Sequence, residues 1–168
     1  LSKDIKIPKA LEDDTDIYPF TRDERQAIIE EFEHSRYYQY YTLLVRFLFC
    51  TGCRPSEAAG LQWRRITEHD IIFDQVVVDS VRGRVLKDGL KTQQKRKFPI
   101  NEQLREVLSA HRASQIQPTD FVFPSPKGRF LDIHNFRNRG WVKVLTEVGI
   151  RYRKPYQARH TFITHCLE

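Results

Sequence analysis

The sequence predicts a mainly α-helical (α+β) domain with one small, three-stranded antiparallel sheet. Helical patterns occupy both ends of the chain, and β-branched stretches are confined to a short region in the middle. With 168 residues, 40% of them hydrophobic and 30% charged, the composition is that of a globular domain with a sizeable core. No apolar run approaches the ~20 residues that span a bilayer, so we expect no membrane partner.

The N-terminal part of the chain divides into a lead-in and a first helix. Residues 1–20 are polar, contain proline and carry an acidic patch, so we interpret them as a linker, and we expect the domain itself over residues 21–168. Thr21 and Glu24 fit a capping box that opens a helix extending to about Phe32.

Two further helices are predicted to meet at a tight corner. The apolar run from Tyr38 to Phe49 predicts a buried helix that stops at Gly52, and a short helix begins at Pro55 and extends to Leu61. Glycine just past a helix and proline at the first helical position are the usual residues at such a junction.

Arg54 lies at this corner. A guanidinium is a planar fork of donors that stays charged and can bind a phosphate through two hydrogen bonds, so a rigidly placed arginine suits the binding of an anion in one geometry. The alternative is that Arg54 pairs with Glu57, three residues on, and only braces the corner. The corner alone does not decide between these interpretations.

The middle of the chain predicts the sheet and a basic hairpin. The three strands are expected at Ile71–Phe73, Val76–Val81 and Lys95–Ile100. The segment from Leu90 to Ile100 contains four Lys/Arg residues in a polar turn, which would suit contact with a phosphate backbone. A charged, soluble hairpin tip explains the same composition equally well.

Three helices are predicted in the C-terminal part: one capped by Asn101 and extending to about Ala113, one from Asp132 to Val148, and one that begins at Pro155. The last helix would carry Tyr156, Arg159 and His160 on one face, because residues three or four positions apart are neighbours on a helix. Arg159 would thus lie near a helix N-terminus, where the dipole and free N–H groups favour anions.

Charge indicates a polyanionic partner. Residues 1–40 contain 6 Lys/Arg and 10 Asp/Glu, whereas residues 41–168 contain 22 and 12, within a net charge of +6. A basic body of this kind points to nucleic acid, although ribosomal and other basic proteins have similar totals. The three cysteines form no disulfide framework and suit a reducing cytoplasm. Cys50 and Cys53 form a single CxxC without further ligands at zinc-site spacing, so we expect no metal.

Taken together, three motifs resemble the tyrosine recombinases of the phage integrase family. The segment from Thr51 to Trp63 looks like the first arginine motif of that family, and Lys91, eight residues before Pro99, is similar to its catalytic hairpin lysine. The segment Tyr156-Gln-Ala-Arg-His-Thr-Phe162 resembles its His-x-x-Arg-His motif. The three motifs occur in the expected order.

The resemblance implies a partial catalytic domain of the DNA breaking-rejoining type, acting on double-stranded DNA through a 3′-phosphotyrosine. Arg54 and Arg159 would hold the scissile phosphate, Lys91 would protonate the leaving 5′-oxygen, and Glu57 would orient Arg54. Because one phosphoester is exchanged for another, no cofactor is expected. The exposed cations expected to contact DNA are Lys95, Arg96, Lys97, Arg151 and Arg153, although Arg151 and Arg153 could also form a solvated basic edge.

The sequence departs from the family pattern at two places. Tyr156 stands where the family has a histidine, and a phenol suits positioning rather than base catalysis; His160 would brace the helix. None of the seven tyrosines lies in a context matching the family's nucleophile, since Tyr152 and Tyr156 precede Arg159. We therefore expect a cut-down, inactive domain, and Leu167 and Glu168 could derive from an expression vector.

Several expectations about the parent protein follow from the same resemblance. It would be a cytoplasmic recombinase of bacterial or phage origin that acts on DNA as a homo-oligomer, a tetramer in other members of the family. Two other functions remain open: a type IB topoisomerase, which uses a similar set of arginines and lysine, and a DNA-binding regulator that kept the fold and lost the chemistry.

Overall fold

The computed structural model describes residues 16–90, 94–111 and 117–168, and these divide into two compact units. The first unit contains the described residues up to Gly52 and again from Ile133 onward, and the second contains those between Cys53 and Asp132. None of the helices in the described ranges combines the length and the apolar character that a membrane span needs.

Helices build the first unit. They are α1 (Arg22–His34), a 3₁₀ turn (Gln39–Tyr41), α2 (Thr42–Thr51), α5 (Ile133–Asn135), a π-helical segment (Phe136–Trp141), α6 (Val142–Glu147) and α7 (Gln157–Leu167). The second unit contains α3 (Pro55–Gly60), a 3₁₀ turn (Trp63–Arg65), strands β1 (Asp70–Phe73), β2 (Gln75–Ser80), β3 (Gly83–Asp88) and β4 (Arg96–Pro99), and α4 (Glu102–His111).

An aromatic cluster forms the core of the first unit. Trp141 is fully buried and packs edge-on against Phe20 at a centroid distance of 5.9 Å, with Phe32 at 6.2 Å on another side. The indole N–H donates to the Arg153 carbonyl at 2.7 Å, so the polar edge of the ring is also paired. This core fixes the turn that precedes α7.

The helical predictions for this unit hold with shifted ends. Thr21 and Glu24 form the predicted capping box of α1. The buried helix predicted from Tyr38 begins instead with a 3₁₀ turn. As predicted, α2 stops at Gly52, and this residue adopts the left-handed conformation with φ 59°. The single helix predicted from Asp132 to Val148 contains the π-helical segment in its middle.

The end of the predicted linker is part of the folded unit. Phe20 is 1% exposed, and its backbone N–H donates to the Thr161 hydroxyl at 2.9 Å. The N–H of Tyr18 donates to Gln157 at 3.0 Å. Residues 1–15 of the predicted lead-in lie outside the described residues. The polar composition of residues 1–20 therefore did not indicate that the end of this segment packs on α7.

The sheet prediction is wrong in its strand count. In place of one three-stranded sheet, the described residues form two antiparallel pairs, β1 with β4 and β2 with β3. The strand that the sequence did not indicate is β3, which contains several charged residues between two glycines and pairs with β2 through Val77↔Leu86 and Val78↔Val85. The two strands on either side of the predicted basic hairpin, β3 and β4, therefore pair with β2 and β1 and not with each other.

Close packing fixes α3 on the β2–β3 pair. A Cβ placed on Gly60 would lie 3.2 Å from the Val76 backbone and from the Leu86 side chain, so the helix backbone approaches the strands directly. Asn101 caps α4 as predicted, by accepting from the Leu104 N–H at 2.9 Å, and Leu104, Val107 and Leu108 are buried.

Candidate functional site

Arg54 immediately precedes α3 and is held by the first turn of that helix. Its carbonyl accepts from the Glu57 and Ala58 N–H groups at 2.9 and 3.1 Å, and Pro55 occupies the first helical position, where no N–H is needed. The Arg54 Nη1 donates to Glu57 Oε1 at 3.2 Å. The Arg54 side chain keeps 24% exposure, so a guanidinium fixed at its base remains open to an anion.

Glu57 is the buried centre of this part of the site. Its side chain has 0% exposure, and Oε2 accepts both the Arg54 backbone N–H and Arg96 Nη2, each at 2.9 Å. The predicted role of Glu57, the orientation of Arg54, fits this geometry. Arg96 was predicted as a DNA contact, and the structure instead pairs it with a buried carboxylate.

Arg159 lies in the first turns of α7, in the first unit. Its Nη1 donates to the carbonyl of Gly52 at 2.9 Å. Gly52 is also in close contact with α7, because a Cβ on this residue would lie 2.6 Å from Cδ1 of Phe162. The C-terminal end of α2 therefore positions both the α7 helix and its arginine.

Tyr156 and His160 lie next to each other on the predicted face of α7. Their rings meet edge to face at a centroid distance of 5.4 Å, and Tyr156 is 38% exposed. Tyr156 caps α7 by position only, since its side chain makes no capping hydrogen bond. The phenol is thus supported by His160 and is accessible to a ligand.

The other predicted DNA-contacting cations differ in exposure. Lys95 and Lys97 are exposed, and so is Arg151, whose guanidinium lies 5.5 Å from the centre of the Tyr18 ring. Lys91 lies outside the described residues.

The prediction that Arg153 contacts DNA is wrong. This residue is 4% exposed, and its guanidinium donates to Glu24, with an Nη2–Oε1 distance of 2.5 Å, and to the Pro19 carbonyl at 3.0 Å. It also lies 4.2 Å from the centre of the Phe20 ring. The side chain is buried in the core of the first unit and is not available to bind a phosphate.

The electrostatics around Cys50 favour packing over thiol chemistry. Burial raises the pKa of the Cys50 thiol, and the opposing charges of Arg25 and Arg46 do not reverse this shift. Cys53 is 1% exposed. Within the described residues, no three His, Cys, Asp or Glu side chains come together in a way that could hold a metal ion.

Comparison with known proteins decides the family. A profile of the phage integrase family matches residues 19–168, which is most of the chain. The chain belongs to the phage integrase family. The assignment inferred from the three arginine and lysine motifs is therefore confirmed.

A curated relative of the chain is the tyrosine recombinase XerC-like protein of Caldanaerobacter subterraneus subsp. tengcongensis. It is 27% identical over 192 aligned positions, which include 99% of this chain and 48% of the relative. The chain thus spans about half the length of the curated relative that it matches.

Solved integrase structures share the fold. The Tn1549 transposon integrase in complex with a circular intermediate DNA superimposes with a TM-score of 0.77 at 20% identity, covering 92% of this chain and 55% of that one. XerA recombinase gives a TM-score of 0.66 at 20% identity, with coverage of 89% and 49%. A lambda integrase tetramer bound to a Holliday junction gives 0.61 at 16% identity, with coverage of 88% and 41%. The predicted fold class, a mainly helical catalytic domain of the DNA breaking-rejoining type with some antiparallel β-structure, is thereby confirmed.

Two contacts at the candidate site of this integrase-family chain were not found from the sequence. The pairing of Glu57 with Arg96 joins residues 39 positions apart, and the Gly52 carbonyl as a partner of Arg159 joins residues 107 positions apart. Neither leaves a spacing pattern. The available signal for these contacts was indirect, namely that Gly52 and Glu57 lie close to Arg54 in the first motif.

Proposed function

We propose that the chain is the phosphate-binding part of the catalytic domain of a site-specific DNA recombinase. The observation that carries the proposal is the hydrogen bond from Arg159 to Gly52, two residues before Arg54 in the chain. Two residues of extended chain span at most about 7 Å, so this bond brings the second arginine motif to the start of the first. The resemblance of these two motifs to those of the phage integrase family supports the further proposal that Arg54 and Arg159 bind one scissile phosphate.

The residue types fit a transesterification. A tyrosine oxygen attacks the phosphorus, the bond from phosphorus to the 5′-oxygen breaks, and negative charge develops on the two non-bridging oxygens. Guanidiniums fixed beside those oxygens stabilise the transition state, and the loss of one donor of this kind costs about 3–4 kcal/mol of barrier in other enzymes. Lys91 donates its proton to the leaving 5′-oxygen. The new phosphotyrosine ester keeps the bond energy for rejoining.

Tyr156 takes the place of the family's histidine as a hydrogen-bond donor to the phosphate. Its exposure and its support by His160 are compatible with this role. A phenol with a pKa of about 10 is a poor base near neutral pH, so the role is one of positioning. His160 holds the ring in place.

The DNA backbone contacts come from the exposed cations Lys95, Lys97 and Arg151. Contacts of this kind give affinity without sequence preference, because every phosphate is alike. Arg153 is left out of this set because it is buried, and Arg96 because it is paired with Glu57.

The parent protein acts on DNA as a homo-oligomer in the cytoplasm, and recombination is its reaction. The lambda integrase structure, a tetramer bound to a Holliday junction, supports the oligomer. The relatives described above are recombinases and integrases, which favours recombination over the relaxation of supercoils by a topoisomerase. The 168-residue chain is itself inactive in cleavage, because none of its tyrosines follows the second arginine motif.

The decisive experiment measures covalent complex formation by the full-length protein on a nicked DNA substrate. Arg54→Ala and Arg159→Ala are each expected to lower the single-turnover cleavage rate by at least about 100-fold, because each removes a donor to the developing charge. Arg22→Ala, an exposed cation paired with Glu168, is the control for loss of positive charge. Near-normal cleavage by either site variant would remove that arginine from the mechanism.

A further inference from the structure

We propose that Arg96 is a positioning residue for Arg54 and acts through the carboxylate that the two arginines share. The inference deepens the proposed function, because its effect is on the phosphate that Arg54 holds. It gives a role in catalysis to a strand residue whose guanidinium is paired with a buried carboxylate.

The geometry of the shared carboxylate carries the inference. Glu57 Oε1 accepts from Arg54 Nη1 at 3.2 Å, and Oε2 accepts from the Arg54 backbone N–H and from Arg96 Nη2, both at 2.9 Å. Both oxygens are therefore engaged, and Arg96 fixes the orientation of the carboxylate plane. The direction of Arg54 depends on that plane.

Charge gives a second reason for the arrangement. A carboxylate with 0% exposure is costly unless it is compensated, and a single guanidinium that compensates it has little attraction left for a second anion. With two arginines and one glutamate the cluster keeps one net positive charge. Arg96 neutralises Glu57, and Arg54 retains its charge for the phosphate.

Arg96 is itself held by a rigid surface. It lies on β4 opposite Phe73 of β1, and its guanidinium lies 4.9 Å from the centre of the Phe73 ring, a side chain that is 1% exposed. Glu57 is on α3, which packs closely on β2 at Gly60. The carboxylate is thus clamped between a helix and a strand.

Loss of Arg96 should change the rate of cleavage rather than DNA affinity. Without it, Glu57 has Arg54 as its remaining cationic partner in this cluster and draws the guanidinium away from the phosphate. Misplacement of a catalytic group by about 1 Å can cost about 100-fold in rate. We expect Arg96→Gln to lower the single-turnover rate at saturating DNA by about 10- to 100-fold.

The test compares variants of the full-length protein in single-turnover cleavage of a nicked DNA substrate, with the Kd for the same DNA measured separately. Arg96→Gln is combined with Arg54→Lys, which retains a charge at the corner. If Arg96 acts through Arg54, Arg96→Gln has much less effect in the Arg54→Lys background than in the wild type. Arg96→Lys keeps a positive charge beside the buried carboxylate, so this variant is expected to fold. It should recover part of the cleavage rate that Arg96→Gln loses.

Arg84→Gln is the matched control. Arg84 is also a strand arginine of the second unit, with 35% side-chain exposure against 31% for Arg96, and it pairs with Asp132 at 2.9 Å. Its loss should leave the cleavage rate unchanged. Thermal melting of all variants shows whether a lower rate follows from a lower stability.

Three results would overturn the inference. One is a wild-type cleavage rate for Arg96→Gln, and another is an effect equally large in the Arg54→Lys background. The third is a weaker Kd with a shallower salt dependence, which would show that Arg96 contacts a phosphate directly. If the Arg54 variants cleave normally as well, the proposed function fails; if they are impaired while Arg96→Gln is not, this inference alone fails.

Discussion

The arginines of this protein have different roles, and the surroundings of each side chain indicate which role it has. Arg153 is buried and joins Glu24 to the aromatic core of the first unit. Arg96 neutralises a buried carboxylate, while Arg54 and Arg159 are anchored by neighbouring oxygens and remain partly exposed. A count of basic residues does not distinguish these tasks, since all four carry the same charge.

Substitutions of Tyr156 test whether this residue positions the phosphate or acts as a base. If its hydroxyl donates to a charged phosphate, Tyr156→Phe removes about 1.5–3 kcal/mol, which corresponds to a roughly 10- to 100-fold lower single-turnover cleavage rate. Tyr156→His should keep most of the rate and add a pH dependence near the ordinary histidine pKa of about 6.5. Cleavage by Tyr156→Phe at the wild-type rate would exclude the phenol from phosphate binding.

At the scale of elements, the junction between α2 and α7 is a close contact beside Arg159. Gly52 ends α2 in the left-handed region at φ 59°, lies against Phe162 and accepts the hydrogen bond from Arg159. A side chain here would meet both backbone strain and a collision. The junction therefore depends on glycine for two separate reasons.

Gly52→Ala should destabilise the protein more than the same change at another left-handed glycine. Gly149 has φ 69° with no atom within 4 Å of an added Cβ, so Gly149→Ala reports backbone strain alone, about 1–2 kcal/mol. Gly52→Ala adds overpacking against Phe162, typically a further 1–3 kcal/mol. Urea unfolding of both variants measures the difference. Equal losses would mean that Phe162 moves aside without cost.

The pair of Glu24 and Arg153 makes the first unit sensitive to acid. Burial acts to raise the pKa of Glu24, but the hydrogen bond and charge of Arg153 and the N–H of Thr21 outweigh it, and the pKa is lowered from its ordinary value of 4.5. A carboxyl with a lowered pKa contributes stability above the ordinary value and loses it as the pH falls through the folded-state value.

Glu24→Gln should therefore lower the free energy of unfolding by about 1.5–3 kcal/mol near neutral pH, while keeping the capping-box hydrogen bond. The difference from the wild type should shrink as the pH falls below 4.5, where the wild-type carboxyl becomes protonated. Denaturant unfolding at several pH values checks this. A difference that stays constant down to about pH 3 would show that the charge of Glu24 is not the source of the stability.

At the scale of the whole molecule, a net charge of +6 and the exposed cations predict weak, salt-sensitive DNA binding by the 168-residue chain. The affinity should fall as salt rises, and Lys97→Gln and Arg151→Gln should each reduce the salt slope by about 1. No covalent adduct should form. Fluorescence anisotropy and denaturing gels measure the two properties. A trapped adduct would show that a tyrosine within the chain acts as the nucleophile.

Local signals explain what could be predicted from the sequence. The capping box at Thr21, the end of α2 at Gly52 and the cap of α4 at Asn101 each depend on neighbouring residues, and each was predicted. The strand β3 was missed because its charged residues depend on pairing with β2 rather than on their own pattern.

The candidate site, like the fold, was predictable from the sequence only where the signal is local. The motifs identified the family and named the two arginines as candidates, because the residue order within each motif is local. The burial of Arg153 and the bond from Arg96 to Glu57 are set by packing between residues that are distant in sequence. No periodicity or spacing within a short window contains that information.

The central claim is that Arg54 and Arg159 hold the same phosphate. A crystal structure of the full-length protein bound to DNA with an uncleaved scissile phosphate tests it most directly. The account predicts guanidinium nitrogens of both arginines within about 3 Å of the non-bridging oxygens of that phosphate. Arginines bound to different phosphates, or one of them turned away from the DNA, would contradict it.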